Sequence, residues 1–124
     1  MDRTTNQVVG DAGELAAAHY LERTGYVLLD RNWRCHEVEL RGELDIVARE
    51  RNTIVFCEVK TRQTLEYGTP AEAVIGTKAR RIRRLALAWL RRSELRPQEL
   101  RFDVIGVWLH PSGSAHLDHI RAAF

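Results

Sequence analysis

A chain of 124 residues, 44% hydrophobic and 29% charged with a net charge of +2, suits one domain with a core of its own. No apolar stretch nears the ~18 residues of a membrane helix, and the polar opening Met1-Asp2-Arg3-Thr4 does not read as a signal peptide. A membrane helix, a collagen, a disulfide-stapled miniprotein and a disordered tail are excluded, and Cys35 and Cys57 read as reduced thiols of a cytoplasmic protein.

The first ten residues carry no pattern and are expected to fray. From Asp11 the chain turns helical: Leu15, Ala18 and Leu21 recur at helical spacing, and Thr24-Gly25 places a glycine just past the helix end. Residues 26–33 begin as a strand and loosen into a polar stretch ending near Gly42. Residues 44–48 and 53–59 read as two strands joined through Glu50-Arg51-Asn52, too short a connection for a crossover helix, so they form an antiparallel hairpin. From Pro70 the helical period returns, with Ala79, Ile82, Leu85, Ala86 and Trp89 as the apolar stripe and Arg80, Arg81, Arg84, Arg91 and Arg92 mostly off it. Residues 93–98, with Pro97, break this helix; 102–109 is a strand, 111–114 a turn, and a short final element covers 116–124. The order α-β-β-β-α-β, without linker or repeat, makes 1–124 a single α/β layered domain.

Charge is polarised along the chain: net −4 over 1–75, +7 over 76–96 and −1 over 97–124. Most charge runs are solvated faces. Seven uncompensated charges in 21 residues repel strongly, however, and favour a polyanionic partner. Lys78, Arg80, Arg81 and Arg84 could track a phosphate backbone.

If Arg51 and Asn52 are the central turn residues, Val47 lies opposite Phe56, Asp45 opposite Glu58, and Glu43 opposite Lys60. Directly opposed Cβ atoms are about 4.5–5.5 Å apart. The other face then carries Leu44, Ile46 and Ala48 against Val55, Cys57 and Val59, an apolar set that a one-residue slip would destroy. Asn52 tolerates the positive φ such a turn needs; Arg51 does so less readily. Two carboxylates this close repel unless compensated. A hard divalent cation compensates them, and Mg²⁺ binds through one or two carboxylates while recruiting phosphate oxygens. Lys60 adds a cation able to hold an attacking water or meet charge developing on a phosphate, which completes the parts for metal-assisted phosphodiester hydrolysis. The competing reading is a pair of cross-strand salt bridges, Glu43 with Lys60 and Asp45 with an arginine, and spacing alone favours it.

An ordered motif series spans residues 10–124: Gly13-Glu14, Arg31-Asn32-Trp33-Arg34, Gly42-Glu43-Leu44-Asp45, Val55 through Arg62, Gly68-Thr69-Pro70 with Glu72-Ala73-Val74, Lys78, Arg101-Phe102-Asp103-Val104, and His119-Ile120-Arg121-Ala122-Ala123-Phe124. With its D…E-x-K core the chain resembles the YraN-like family of small bacterial predicted endonucleases, in the PD-(D/E)xK superfamily and similar to archaeal Holliday-junction resolvases. The resemblance implies a restriction-endonuclease-like three-layer domain, a central mixed β-sheet flanked by helices, with a divalent-metal nuclease site at one edge. Carried over, Asp45 and Glu58 are metal ligands, Lys60 is the catalytic lysine, and Glu14 is the helix-borne acid of the site. Without the resemblance Glu14 is an acid beginning a helix. Leu44 stands where the superfamily's name has proline, and Cys57 where a bulkier apolar residue is common. The implied activity is an Mg²⁺- or Mn²⁺-dependent endonuclease acting on DNA, branched or nicked, with a homodimer favoured on a symmetric junction. The alternatives are a nucleic-acid-binding or adaptor module without turnover, and a protein-interaction scaffold.

Arg62 extends the Lys60 face as a phosphate contact or a salt bridge, and Tyr67 and Gly68 suit a substrate loop. Asp103 reads as a structural partner for a basic residue, His110, His116 and His119 as surface histidines matching no zinc spacing, and Trp33, Trp89 and Trp108 as core or core-edge residues. A serine nucleophile elbow, a phosphate-binding glycine loop and a dinucleotide fingerprint are absent from the sequence.

Overall fold

The hairpin at Arg51-Asn52 sets the register of the sheet. Glu50 pairs with Thr53, Ala48 with Val55, Val47 with Phe56 and Ile46 with Cys57, as the facing of apolar side chains requires. The computed structural model describes residues 5–63 and 76–124, apart from the Asn6 side chain. Its elements are α1 (Thr5–Arg23), β1 (Val27–Glu37), β2 (Leu40–Glu50), β3 (Thr53–Arg62), α2 (Gly76–Ser93), β4 (Glu99–Leu109) and β5 (Ala115–Ile120). The five strands lie in chain order in one mixed sheet, antiparallel throughout except for β3 with β4, whose crossover carries α2.

Alternation along β3 explains the three layers. Val55, Cys57 and Val59 pack with Ala17, Ala18 and Leu21 of α1, whereas Ile54 and Phe56 pack with Ile82, Leu85, Ala86 and Trp89 of α2. With helices over both faces, the central strand reads as a nearly continuous apolar run. Both cysteines are buried and free, and burial pushes the Cys57 thiol far above its ordinary value, leaving it inert.

Four expectations change. Residues 5–10 are the first turns of α1 and not a frayed tail, because adding residues to an already packed helix is easy once it is nucleated. The polar stretch before Gly42 is strand as well: β1 runs to Glu37 and returns as β2 at Leu40, pairing Arg34 with Glu43 and Glu37 with Leu40 through backbone bonds indifferent to side-chain polarity. The final element pairs antiparallel with β4, so the order becomes α-β-β-β-α-β-β. His119 is no surface residue. Its side chain is 6% exposed, Nε2 lies 2.7 Å from Asp103 Oδ2, and Nδ1 lies 2.8 Å from the Tyr20 hydroxyl. The expected helical stretch 70–75, and Tyr67 and Gly68, lie outside the described residues.

Asp103 is the structural partner anticipated. It is fully buried, accepts two bonds from Arg101 at 2.9 Å each, and accepts the Ala122 N–H at 3.0 Å. Burial alone would raise its pKa; His119, Arg101 and the backbone donor outweigh burial and hold the carboxyl below its ordinary value. Arg101 also reaches Glu50 at 3.1 Å and the Tyr26 hydroxyl at 2.8 Å, so one network joins β2, β4, β5 and α1. No helix among the described residues is long and apolar enough to cross a membrane.

At the hairpin, Arg51 takes φ +57. A glycine would hold that left-handed backbone more easily, by about 1 kcal/mol before its larger unfolded-state entropy is counted. With that entropy subtracted, Arg51→Gly is expected to raise the thermal midpoint by about 1–2 °C in a calorimetric scan. A lower midpoint would mean that the Arg51 side chain stabilises the fold.

Candidate active site

The β2–β3 ladder stops at Ile46 and Cys57. Beyond it the Val59 N–H donates to Asp45 Oδ2 at 2.9 Å, so a carboxylate takes the place of a backbone acceptor. The facing of β2 slips at the same point. Ile46 packs toward α1, but Leu44 joins Leu40 and Val47 on the α2 side, and the expected apolar row of Leu44, Ile46 and Ala48 is not formed. Nor are Asp45–Glu58 and Glu43–Lys60 rungs of the ladder. On the neighbouring strand Asn32 adopts φ +52, a conformation asparagine tolerates better than most residues. The splayed strands leave a wedge into which polar side chains converge.

α1 brings an acid to this wedge because Gly13 lets it close on β3. A Cβ at Gly13 would lie 1.9 Å from Thr61 Oγ1 and 2.8 Å from Thr61 Cβ. Glu14, Glu43 and Asp45 each offer a carboxylate oxygen, all within 4.8 Å of one another. With its amide nitrogen turned toward them, Asn32 donates to Glu43 Oε1 at 2.9 Å and Glu14 Oε2 at 2.8 Å. Asp45 also lies near enough to Glu14 and Glu58 for their charges to act on it. Glu58 Oε1 in turn holds Lys60 Nζ at 3.2 Å and Lys78 Nζ at 3.0 Å.

Glu14, Asp45, Glu58 and Lys60 thus meet in one cluster. The carboxylates closest together are Glu14, Glu43 and Asp45, while Glu58 turns to the lysines. Glu43 belongs to this cluster and, in place of the anticipated Lys60, has Arg34 Nε at 3.5 Å. Lys78, assigned from sequence to a phosphate-tracking face, is in the site through Glu58. Asn32 had no assigned role. Its only prior signals were its place in the Arg31-Asn32-Trp33-Arg34 motif and an ease with positive φ. Among the arginines expected to meet phosphate, Arg80, Arg81 and Arg84 are exposed on α2 and Arg62 is half-buried. Arg81 donates to the Arg41 carbonyl, tying α2 to the β1–β2 hairpin.

Electrostatically the cluster is under tension. Burial, then the Glu58 charge and also Glu14, push Asp45 up to about 8. Burial and Glu43 raise Glu14 above the usual carboxylate range. Burial and the adjacent Lys78 lower Lys60; for Lys78 burial pulls down, but the Glu58 carboxylate holds it above its ordinary value. An all-oxygen donor set with unrelieved carboxylate repulsion fits a hard divalent cation such as Mg²⁺ or Mn²⁺. Two clefts share wall residues with the cluster. One of about 440 Å³ is lined by Arg34, His36, Arg41 and Glu43 among others, and one of about 350 Å³ includes Glu14, Thr61 and Arg62.

The model of the uncharacterised protein family UPF0102 matches residues 13–107, which enclose every member of this cluster. The chain belongs to family UPF0102. It is 48% identical over 119 residues to a UPF0102 protein of Parafrankia sp. (strain EAN1pec), covering 96% of this chain and 98% of that one. A UPF0102 protein of Frankia alni is 46% identical over 124 residues, the full length of both chains. One from Geobacter sulfurreducens is 46% identical over 119 residues, 96% of this chain and 90% of its own.

Two outcomes test this geometry in the UPF0102 chain. Gly13→Ala should destabilise it by about 1–3 kcal/mol in denaturant unfolding, as overpacking does, and the added Thr61→Gly should recover part of the loss. The raised pKa of Asp45 means that the folded state binds its proton more tightly than the unfolded chain. Stability is therefore full below about pH 4 and is lost as pH rises toward 8. In chelator, Asp45→Asn should gain stability over the native chain, little at pH 4 and on the order of a few kcal/mol at pH 8. An equal gain at both pH values would contradict the assigned protonation.

Proposed function

We propose that this UPF0102 protein is a metal-dependent endonuclease that hydrolyses phosphodiester bonds in DNA, with branched or junction DNA as its substrate class. The observation carrying this reading is the convergence of Glu14, Glu43, Asp45 and Glu58 with Lys60 and Lys78 where β2 parts from β3. Glu14, Glu43 and Asp45 would hold Mg²⁺ or Mn²⁺, which would supply Lewis acidity and lower the pKa of a water for attack. The Val59 N–H holds Asp45 in place, and Asn32 fixes the carboxylates of Glu14 and Glu43. Lys60, half-desolvated and held by Glu58, orients the attacking water or donates to a non-bridging phosphate oxygen as charge accumulates there. Arg34 and Arg41 in one cleft and Arg62 in the other meet flanking phosphates. Two cuts in a symmetric junction call for two copies of the chain acting as a homodimer.

One observation favours a second reading, a nucleic-acid-binding or adaptor module without turnover. Glu58 already satisfies both lysines internally, as a structural ion-pair cluster would. The test is a panel of linear, nicked, flapped and four-way DNA incubated with Mg²⁺, Mn²⁺ or chelator. Asp45→Asn and Lys60→Ala are each expected to lower metal-dependent cleavage by about 10²–10³, with DNA affinity largely retained. Absence of metal-dependent cleavage on every substrate, with binding intact, would reject the nuclease in favour of the module.

A further inference from the structure

Three arginines far from the carboxylate cluster have no part in it. Arg49 and Arg51, from the end of β2 and its turn, and Arg96, from the segment after α2, line one cleft of about 120 Å³ with no acidic residue among the described residues of its wall. All three are exposed, and among the described residues none forms an ion pair. The adjacent Glu50 is engaged by Arg101 at 3.1 Å and Arg121 at 4.0 Å, and Glu94 lines the neighbouring cleft with Arg91 and Arg96 without pairing to either. Cations at the carboxyl end of α2 complement its dipole, which accounts for Arg91 and Arg92 in its last turn. That explanation does not extend to Arg49 and Arg51, which come from another element. Arg51 moreover holds a left-handed backbone at φ +57 beside two other guanidinium groups, an arrangement that fold stability does not call for.

Two rulers separate this cleft from the candidate site. Along β2 from Asp45 to Arg51 the distance is about 20 Å at strand rise. Along α2 from Lys78 to Ser93 it is about 22 Å at helical rise. Val47 and Ile54, which flank Arg49 in the sheet, pack toward α2, so the cleft lies on the α2 side. Arg80, Arg84 and Arg91 are exposed along that helix.

We propose that the Arg49–Arg51–Arg96 cleft is a second phosphate-binding site, an anchor that grips the backbone of duplex DNA about six base pairs from the scissile position, with the arginines of α2 as the track between. This inference rests on the DNA reading above. At 3.4 Å per nucleotide along a strand, the ~20 Å separation spans about six steps. Guanidinium groups suit the site because their forked donors match phosphate oxygens.

The experiment measures binding of a 24-bp duplex in chelator as a function of salt, for the native chain and for Arg49→Ala/Arg51→Gly/Arg96→Ala. The triple variant should bind roughly tenfold or more weakly at 0.1 M salt, with a salt slope shallower by about 2–3. Its Mn²⁺ uptake should match the native chain, and its thermal midpoint should not fall. Arg49→Lys/Arg51→Lys/Arg96→Lys keeps the charge and should keep most of the slope. Equal slopes for the native and triple-variant proteins would overturn the anchor and leave the nuclease reading standing. A native chain that binds no duplex at low salt would overturn the anchor and leave the cleavage panel to decide the nuclease, whereas binding with the expected slope loss but no cleavage of any substrate would sustain the anchor and remove the nuclease.

Discussion

The bond from the Val59 N–H to the Asp45 carboxylate organises the functional end of this molecule. It ends the β2–β3 ladder while keeping a buried donor satisfied, so the strands can part without orphaning the backbone. Once they part, Leu44 crosses to the α2 side and Glu43 and Asp45 are left together at the mouth of the wedge. Glu14 arrives from α1 because Gly13 permits close approach, and Lys78 arrives from α2 because Glu58 draws it in.

Two aspartates, Asp103 buried and Asp45 half-buried, show what environment does to one side chain. Asp103 has Arg101, His119 and a backbone N–H around it and is held ionised below its ordinary value. Asp45 has one backbone donor and three carboxylates around it and is pushed upward. The first arrangement joins strands to helix. The second opposes stability, and such tension is what a site stores when its partner is a cation or a substrate supplied from outside.

Much of the fold was legible along the chain. The Glu50–Thr53 hairpin and its facing as far as Ile46 and Cys57 followed from the apolar sets on either side of Arg51-Asn52, and the α2 core stripe from Ile82, Leu85, Ala86 and Trp89. What escaped was held by backbone pairing and not by side-chain pattern: the second half of β1, the start of β2, and β5, whose polar residues look like loop. His119 likewise looked like a surface residue because its two partners, Tyr20 and Asp103, are remote from it in sequence.

At the site, Glu14, Asp45, Glu58 and Lys60 were readable as candidates from strand register and motif order. Glu43 and Asn32 were not, since their roles depend on a slip in β2 and a positive φ in β1, both enforced by the strands and helices packed around them. Local chemistry in the chain is enough to specify strand pairing, helix faces and the supply of carboxylates and cations, because those depend on periodicity and residue type. Which of these charges end up sharing one wedge depends on where a ladder breaks and how closely a helix can approach it, and those are properties of packing in three dimensions.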